Sequence, residues 1–451
     1  MAGGPGSRPL PDDRRARSLI FTPGPANGAE VPCRIKQGTR LNTRSDPPDL
    51  VSTSPSHHAL IVMGDQLHKP TLPMSVFPLS LLPVSFLLAA VAAAILVRVS
   101  RRLGHVDQSG SESHKRHGGT VPNTGGVAIV VAVFLPLCIA ALLAHSVPHL
   151  TWQEIVPALA THIPGLRSQW PLALGLLASS LIIHVLGLVD DRRGLSPPFK
   201  LSVQCAAAAL LVTCFDVRAM RFLGGDFMGP TGDLLSILIT IAWFAAITNA
   251  INMLDNMDGL AGGVALIIAA IYLTATLLAG QWFVACLCAV LIGGLGGFLV
   301  HNFPTARLFM GDSGALLVGW LLAFISVRTT YVQMPLDGMA YGHWYATLMP
   351  LIVMAVPLYD LSSVVWLRRR DGRGIFSADN SHFSHRLVAQ GLTRRGAVMV
   401  VWLCTLATGL GGSMLHTLER WQAIVIACQT FSVLGILVAL ERREKRSEPE
   451  R

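Results

Sequence analysis

The chain is short of charge. Only 14% of its 451 residues are Asp, Glu, Lys or Arg, against 52% hydrophobic, whereas soluble domains carry about 25% charged residues. An ordinary soluble domain is excluded. Cysteine pairing is missing too. The eight cysteines form no CxxC pair, and Cys138, Cys205, Cys214, Cys286, Cys288, Cys404 and Cys428 all lie in or beside apolar runs. Neither a disulfide framework nor a zinc site is indicated. No aromatic-interleaved basic patch accompanies the net charge of +9. The basic residues fall in short gaps between apolar runs, which argues against a nucleic-acid partner and for membrane topology. A secretory signal is absent as well, because Arg14 to Arg17 is not followed by an adequate apolar core. No internal repeat is evident.

What the chain does have is apolar runs. Eleven lie at about 77–98, 124–145, 171–189, 199–215, 234–253, 260–279, 282–301, 313–328, 346–366, 397–415 and 421–440. They predict an all-α polytopic integral membrane protein of about eleven transmembrane helices. The count falls to ten if the short fourth and eighth runs do not both cross. Residues 1–75, rich in Pro, Gly, Ser and Arg, read as a disordered N-terminal extension. Nothing before Met63 or Met74 has a hydrophobic period, so either methionine is a candidate true start. Residues 76–441 form the transmembrane domain and 442–451 a charged tail.

Lys and Arg set the topology. One series of loops holds Arg98, Arg101, Arg102, Lys115 and Arg116, then Arg192, Arg193 and Lys200, then Arg307. It continues through Arg368 to Arg373, Arg386, Arg394, Arg395 and the tail. The opposite loops hold only Arg167, Arg218, Arg221, Arg328 and Arg420. The richer series is expected to face the cytoplasm.

The chain is organised around Asn249-Ala-Ile-Asn252-Met-Leu-Asp255-Asn256-Met-Asp258-Gly259. Three Asn and two Asp follow a membrane-length run with no Lys or Arg beside them. Uncompensated carboxylates at a membrane edge need a cation or a water-filled cavity. Continued as a helix, Asn252, Asp255 and Asp258 lie on roughly one face. Oxygen ligands of this kind suit Mg²⁺ or Mn²⁺ better than zinc. A helix cap would use one such residue, not five.

The other polar motifs fall on the same side. The first basic loop runs from His114-Lys115-Arg116-His117 to Asn123-Thr124-Gly125-Gly126, with cations and glycine-freed amides suited to phosphate. The third apolar segment ends in Asp190-Asp191-Arg192-Arg193, which is either a paired helix end or a carboxylate site. The seventh leads to Phe309-Met-Gly-Asp312-Ser-Gly, where Asp312 opens the next helix. The last cytoplasmic gap carries His382-Phe-Ser384-His385-Arg386, donors suited to an anionic phosphate. Motifs separated by whole helices, yet on one side, converge as one interfacial active site at the cytoplasmic face. A transporter or divalent-cation channel would instead place ionisable groups near the midplane, where only His184 and Asp360 qualify.

Together these motifs, in order and spacing over residues 78 to 440, resemble the polyprenyl-phosphate N-acetylhexosamine-1-phosphate transferases (glycosyltransferase family 4). The resemblance implies a Mg²⁺-dependent enzyme, with Mn²⁺ as the alternative ion. It would move a sugar 1-phosphate from a UDP-sugar to undecaprenyl phosphate and release UMP. It further implies that Asn252 and Asp312 ligate the metal, and that Asp190 and Asp191 serve the lipid phosphate, one of them as possible base. Asp255 and Asp258, with Asn249 of the same motif, would line the nucleotide-sugar site, and Phe309 would stack on uracil. His382, His385 and Arg386 would contact phosphate or sugar, and Lys115 belongs to the basic first loop. The implied setting is the bacterial inner membrane, in contact with the lipid bilayer and with a homodimer left open.

The family's usual His-x-His-His departs here to Ser384 at the middle histidine, which predicts an altered contact network with activity retained. The loop also lacks the run of consecutive histidines of the phospho-MurNAc-pentapeptide branch. The expectation is therefore the branch that primes envelope glycans with GlcNAc-1-phosphate, with the peptidoglycan branch as alternative.

Overall fold

The chain divides into Met1–Leu67 and His68–Arg451. The structure, a computed structural model, describes residues 75–103, 121–224, 228–329, 344–374, 382–415 and 418–442, all in the second unit. The proposed N-terminal extension and nearly all of the charged tail lie outside these residues.

The described residues are all-α, without strands. In chain order the helices are α1 Val76–Leu103, α2 Gly125–Ser146, the short α3 His149–Ile155, α4 Pro157–Ala160 and α5 Ile163–Ser168, then α6 Trp170–Arg193, α7 Pro197–Phe215 and α8 Gly229–Leu254. They continue as α9 Leu260–Leu278, α10 Trp282–Asn302, α11 Gly311–Arg328, α12 Met349–Val353, α13 Ala355–Arg370, α14 Phe383–Ala389, α15 Arg394–Ser413 and α16 Arg420–Arg442. Among the described residues, ten helices are long and apolar enough to cross a membrane, or eleven if the bent pair Tyr345–Val353 and Ala355–Arg370 forms one span.

That pair replaces the continuous ninth helix expected from the sequence. Its axis turns by 67° between Val353 and Ala355. Pro357 explains the break. It has no N–H for the Val353 carbonyl four residues back, and its ring clashes with that carbonyl. The ladder resumes one residue on, where Leu358 N–H reaches Met354 O at 3.0 Å.

The centre of the bundle is α11. Every residue from Ser313 to Ser326 is buried, and the helix packs against α2, α6, α8 and α9. By contrast α16 shows Trp421, Ile424 and Phe431 to the outside, and α1 shows Leu87 and Val91. These apolar faces suit lipid. At the crossing of α6 and α11 the backbones touch: a Cβ on Gly187 would lie 2.3 Å from Ser313 Cα. Only glycine permits that approach. It fixes the C-terminus of α6 beside the N-terminus of α11, which is where the polar motifs meet.

Candidate active site

Asp312 sits in the first turn of α11 and is the meeting point. Its Oδ1 accepts from Asn252 Nδ2 at 2.9 Å. Its Oδ2 lies 3.7 Å from Lys200 Nζ. Lys200 also donates to Asp190 Oδ2 at 2.5 Å, while Asp190 Oδ1 accepts from Leu195 N at 2.7 Å. Asp190 is buried, so its charge is compensated on both oxygens.

Asp191 does a different job. Its Oδ1 accepts from Asp312 N at 2.9 Å and from Asn123 Nδ2 at 2.9 Å, and its Oδ2 accepts from Ser313 N at 3.1 Å. A carboxylate from α6 thereby satisfies the free amides at the start of α11, as an N-cap does from within one chain segment. The chain immediately before Asp312 follows the same plan. Gly311 adopts φ +70°, a left-handed turn that a side chain would strain, and a Cβ there would meet Asn123 Oδ1 at 2.5 Å. Backbone bonds from Phe309 N to Pro122 O, Gly125 N to Phe309 O and Gly126 N to Met310 O, all within 3.0 Å, join the start of α2 to the start of α11. Two helix N-termini thus face one place, and the anion seated on that of α11 is Asp191 itself.

The expected helical face of Asn252, Asp255 and Asp258 does not form, because α8 ends at Leu254. Asn256 is the cause. Its side-chain amide donates to Met253 O at 3.0 Å, taking the carbonyl that the residue-257 N–H would need in a continuing helix. The following turn is held from outside: Asp258 Oδ2 accepts from Ala306 N at 3.0 Å, and Gly259 N donates to Asn302 Oδ1 at 2.7 Å. Asp255 lies in this turn, beyond the end of α8. Burial, and then the neighbouring carboxylates Asp312, Asp191 and Asp258, push its carboxyl up to about 8.

Those carboxylates form a surplus of negative charge that a cation would relieve. The donor set fits Mg²⁺. Asn252 spends its amide N–H on Asp312 and leaves a carbonyl oxygen as ligand. Among the described residues there is no group of three or more His, Cys, Asp or Glu that could hold a metal. Mg²⁺ typically takes one or two carboxylates and completes its shell with water and substrate phosphate.

The remaining site residues are placed as follows. Asn249 points its amide at α7, donating to Gln204 Oε1 at 2.6 Å and to Ala245 O at 2.8 Å, so it braces the helices one turn behind Asn252. Phe309 is half-buried at the α2–α11 junction. His382 donates from Nδ1 to Asp360 Oδ2 at 2.9 Å, and Phe383 N donates to Asp360 Oδ1 at 3.1 Å. His385 and Arg386 are half-buried on α14, and Arg386 Nη2 donates to Ser363 Oγ at 3.1 Å. Ser384 docks this segment on the carboxylate turn through Oγ to Asn256 Oδ1 at 2.7 Å. Lys115 lies outside the described residues. The two ionisable residues that a midplane pathway would use are both committed to this same end: Asp360 to His382, and His184 through Nδ1 to Ser313 O at 3.1 Å.

The model of glycosyl transferase family 4 matches residues 173–330. The decaprenyl-phosphate N-acetylglucosaminephosphotransferase of Mycobacterium tuberculosis (strain ATCC 25618 / H37Rv) is 32% identical over 345 residues, covering 72% of this chain and 80% of that protein. The chain belongs to glycosyl transferase family 4. Two further relatives of this family 4 chain extend the likeness. The probable undecaprenyl-phosphate N-acetylglucosaminyl 1-phosphate transferase of Bacillus subtilis (strain 168) is 28% identical over 345 residues, with 76% and 86% of the two chains covered. The undecaprenyl-phosphate alpha-N-acetylglucosaminyl 1-phosphate transferase of Escherichia coli (strain K12) is 25% identical over 354 residues, covering 76% and 85%.

In this family 4 chain, three site residues carried no functional signal in the sequence. Lys200 counts there only as a topology marker, Asn123 as part of a glycine-rich loop, and Gln204 not at all. Lys200 was the most findable of them. It lies ten residues after Asp190, in the first turn of the next helix, where the α6–α7 hairpin brings it back to the carboxylate.

Proposed function

We propose that the chain transfers N-acetylglucosamine 1-phosphate from a UDP-sugar to a polyprenyl phosphate, undecaprenyl phosphate, releasing UMP. In this reading it primes a lipid-linked envelope glycan at the cytoplasmic face of the bacterial inner membrane. The observation that carries it is the convergence on Asp312 of Asn252 at 2.9 Å and Lys200 at 3.7 Å, with Asp191 capping the same turn. The names of the relatives support the sugar and the lipid acceptor.

The chemistry is a phosphoryl transfer between two anions. An oxygen of the lipid phosphate attacks the phosphorus that bears the sugar. The bond from that phosphorus to the UMP oxygen breaks, and UMP leaves with the electron pair. The principal obstacle is charge repulsion, so catalysis amounts to positioning and screening. Asn252 and Asp312 would hold Mg²⁺, which when bound supplies that screening and polarises the diphosphate. The ammonium of Lys200, held by Asp190 within reach of Asp312, would add a positive charge where the phosphates meet, and Asp191 would hold the start of α11 in position. A phosphate monoester is largely dianionic at neutral pH, its second pKa being about 6. The acceptor therefore arrives ionised and needs no base. The hydrogen bonds that occupy both oxygens of Asp190 and of Asp191 support a positioning role for each. His382, oriented by Asp360, with His385 and Arg386, would face the donor's phosphate or sugar, and Phe309 its uracil.

The test uses protein in detergent with undecaprenyl phosphate, Mg²⁺, and either UDP-N-acetylglucosamine or UDP-MurNAc-pentapeptide. UMP from the first donor only, abolished by EDTA, is expected. UMP from the second only would move the chain to the peptidoglycan reaction. No UMP from either, in folded protein, would overturn the proposal.

A further inference from the structure

At the opposite end of the bundle lies a cavity of about 420 Å³, within the range of small-molecule sites. Its walls are apolar and include Leu81 of α1, Phe134 and Leu137 of α2, Leu177 of α6 and Phe283 of α10, with the short α5 beside them. Arg328, at the C-terminus of α11, is the one charged side chain among the lining residues. Asp312 opens the same helix sixteen residues earlier. At 1.5 Å per residue the cavity is about 24 Å from the carboxylate site and separate from it.

Arg328 is under-partnered. Its Nε is buried without a hydrogen-bond acceptor, and it makes no ion pair among the described residues. The acid whose charge reaches it, Asp216, is already paired with Arg218 and Arg221. A cation at a membrane edge that makes no ion pair among the described residues selects an anion, while the walls select hydrocarbon. The lining residues Leu174 and Cys138 are exposed, so the cavity is open to a ligand rather than sealed.

We propose that this cavity is a structural lipid site that takes one acyl chain of an anionic phospholipid from the bilayer, with its phosphate on Arg328. Basic pockets between membrane helices hold anionic head groups by this combination of charge and hydrocarbon. A lipid bound there ties α1, α2, α6, α10 and α11 together at the end remote from catalysis, and it stabilises the fold by linkage.

The test compares delipidated full-length protein titrated with dioleoylphosphatidylglycerol and with dioleoylphosphatidylcholine. Thermal unfolding and native mass spectrometry are the readouts. A saturable rise in Tm with the anionic lipid, one lipid retained per chain, and little effect of the zwitterionic lipid are expected. Arg328→Gln should erase the preference, and Ala141→Phe, which fills the cavity, should erase retention. Equal protection by both lipids, a preference that survives Arg328→Gln, or retention in Ala141→Phe would each overturn the proposal. If Arg328→Gln does not fold, the wild-type comparison and Ala141→Phe decide the matter.

Discussion

Gly187→Ala tests the geometry of the site without replacing any of its polar side chains. The added methyl would lie 2.3 Å from Ser313 Cα and 2.5 Å from Ser313 N. Ordinary contact begins at 3.4 Å, and both neighbours are backbone, so the start of α11 must retreat from α6 by about 1 Å. Such overpacking alone costs about 1–3 kcal/mol. The same retreat stretches the bonds from Asp191 to the amides of Asp312 and Ser313, now 2.9 and 3.1 Å, beyond hydrogen-bonding distance. Each is worth about 1.5–3 kcal/mol as a bond to a charged group. Those are bonds of the resting fold, so their loss adds to the fall in stability. The rate falls because the site is misplaced, and a displacement of about 1 Å in a phosphoryl-transfer site costs roughly a hundredfold. The assay is UMP release alongside thermal unfolding, with Gly435→Ala as control because nothing lies within 4 Å of its added methyl. Gly187→Ala should lose about two orders of magnitude in turnover and several degrees in Tm, while Gly435→Ala is silent. Wild-type turnover in Gly187→Ala would refute the reasoning, because α6 and α11 would then be free to separate without consequence.

Asp360→Asn keeps the shape of the side chain but replaces an oxygen that holds His382 Nδ1 or Phe383 N. It should lower turnover about tenfold or more, and an unchanged turnover would remove His382 from the working site. Ser384→Ala deletes the bond to Asn256, worth about 1 kcal/mol, so KM for the UDP-sugar should rise several-fold. A KM unchanged in this variant would mean that the His382–Arg386 segment docks by other contacts. Asp255, held up at about 8, prefers its proton in the fold, whereas an unfolded Asp titrates near 3.9. Its stabilising contribution is therefore full below about pH 4 and is lost as pH rises through about 8. In EDTA, Tm should fall between pH 6 and pH 9, Mg²⁺ should restore more at pH 9 than at pH 6, and Asp255→Asn should flatten the fall. A Tm in EDTA that rises over this range would contradict the charge surplus.

The membrane helices were legible because each is a long apolar run, and run length alone marks a crossing. The carboxylates were legible for the complementary reason: an acid at the edge of such a run costs too much to be incidental. Partnership was not legible. That Asp191 caps a helix more than a hundred residues later, or that Ser384 reaches Asn256, depends on how helices stack, and neither spacing nor composition encodes that. The end of α8 misleads for a local reason. Three polar residues at helical spacing look like one face until the amide of Asn256 turns back on the ladder. The break at Met354 was encoded in Pro357, but the apolar run around it masks the signal. The remote cavity has no sequence mark at all, since hydrocarbon lining a cavity and hydrocarbon facing lipid are written with the same residues.

The chain of contacts Asp190–Lys200–Asp312–Asn252 also limits how the sequence can drift. No single replacement at either end of the Asp190–Lys200 pair is neutral. Loss of the ammonium strands a buried carboxylate, and loss of that carboxylate releases the ammonium onto Asp312, where the proposed metal would bind. Both changes pass through a less fit intermediate. The two positions should therefore change together or not at all, and among relatives position 200 should be basic wherever position 190 is acidic.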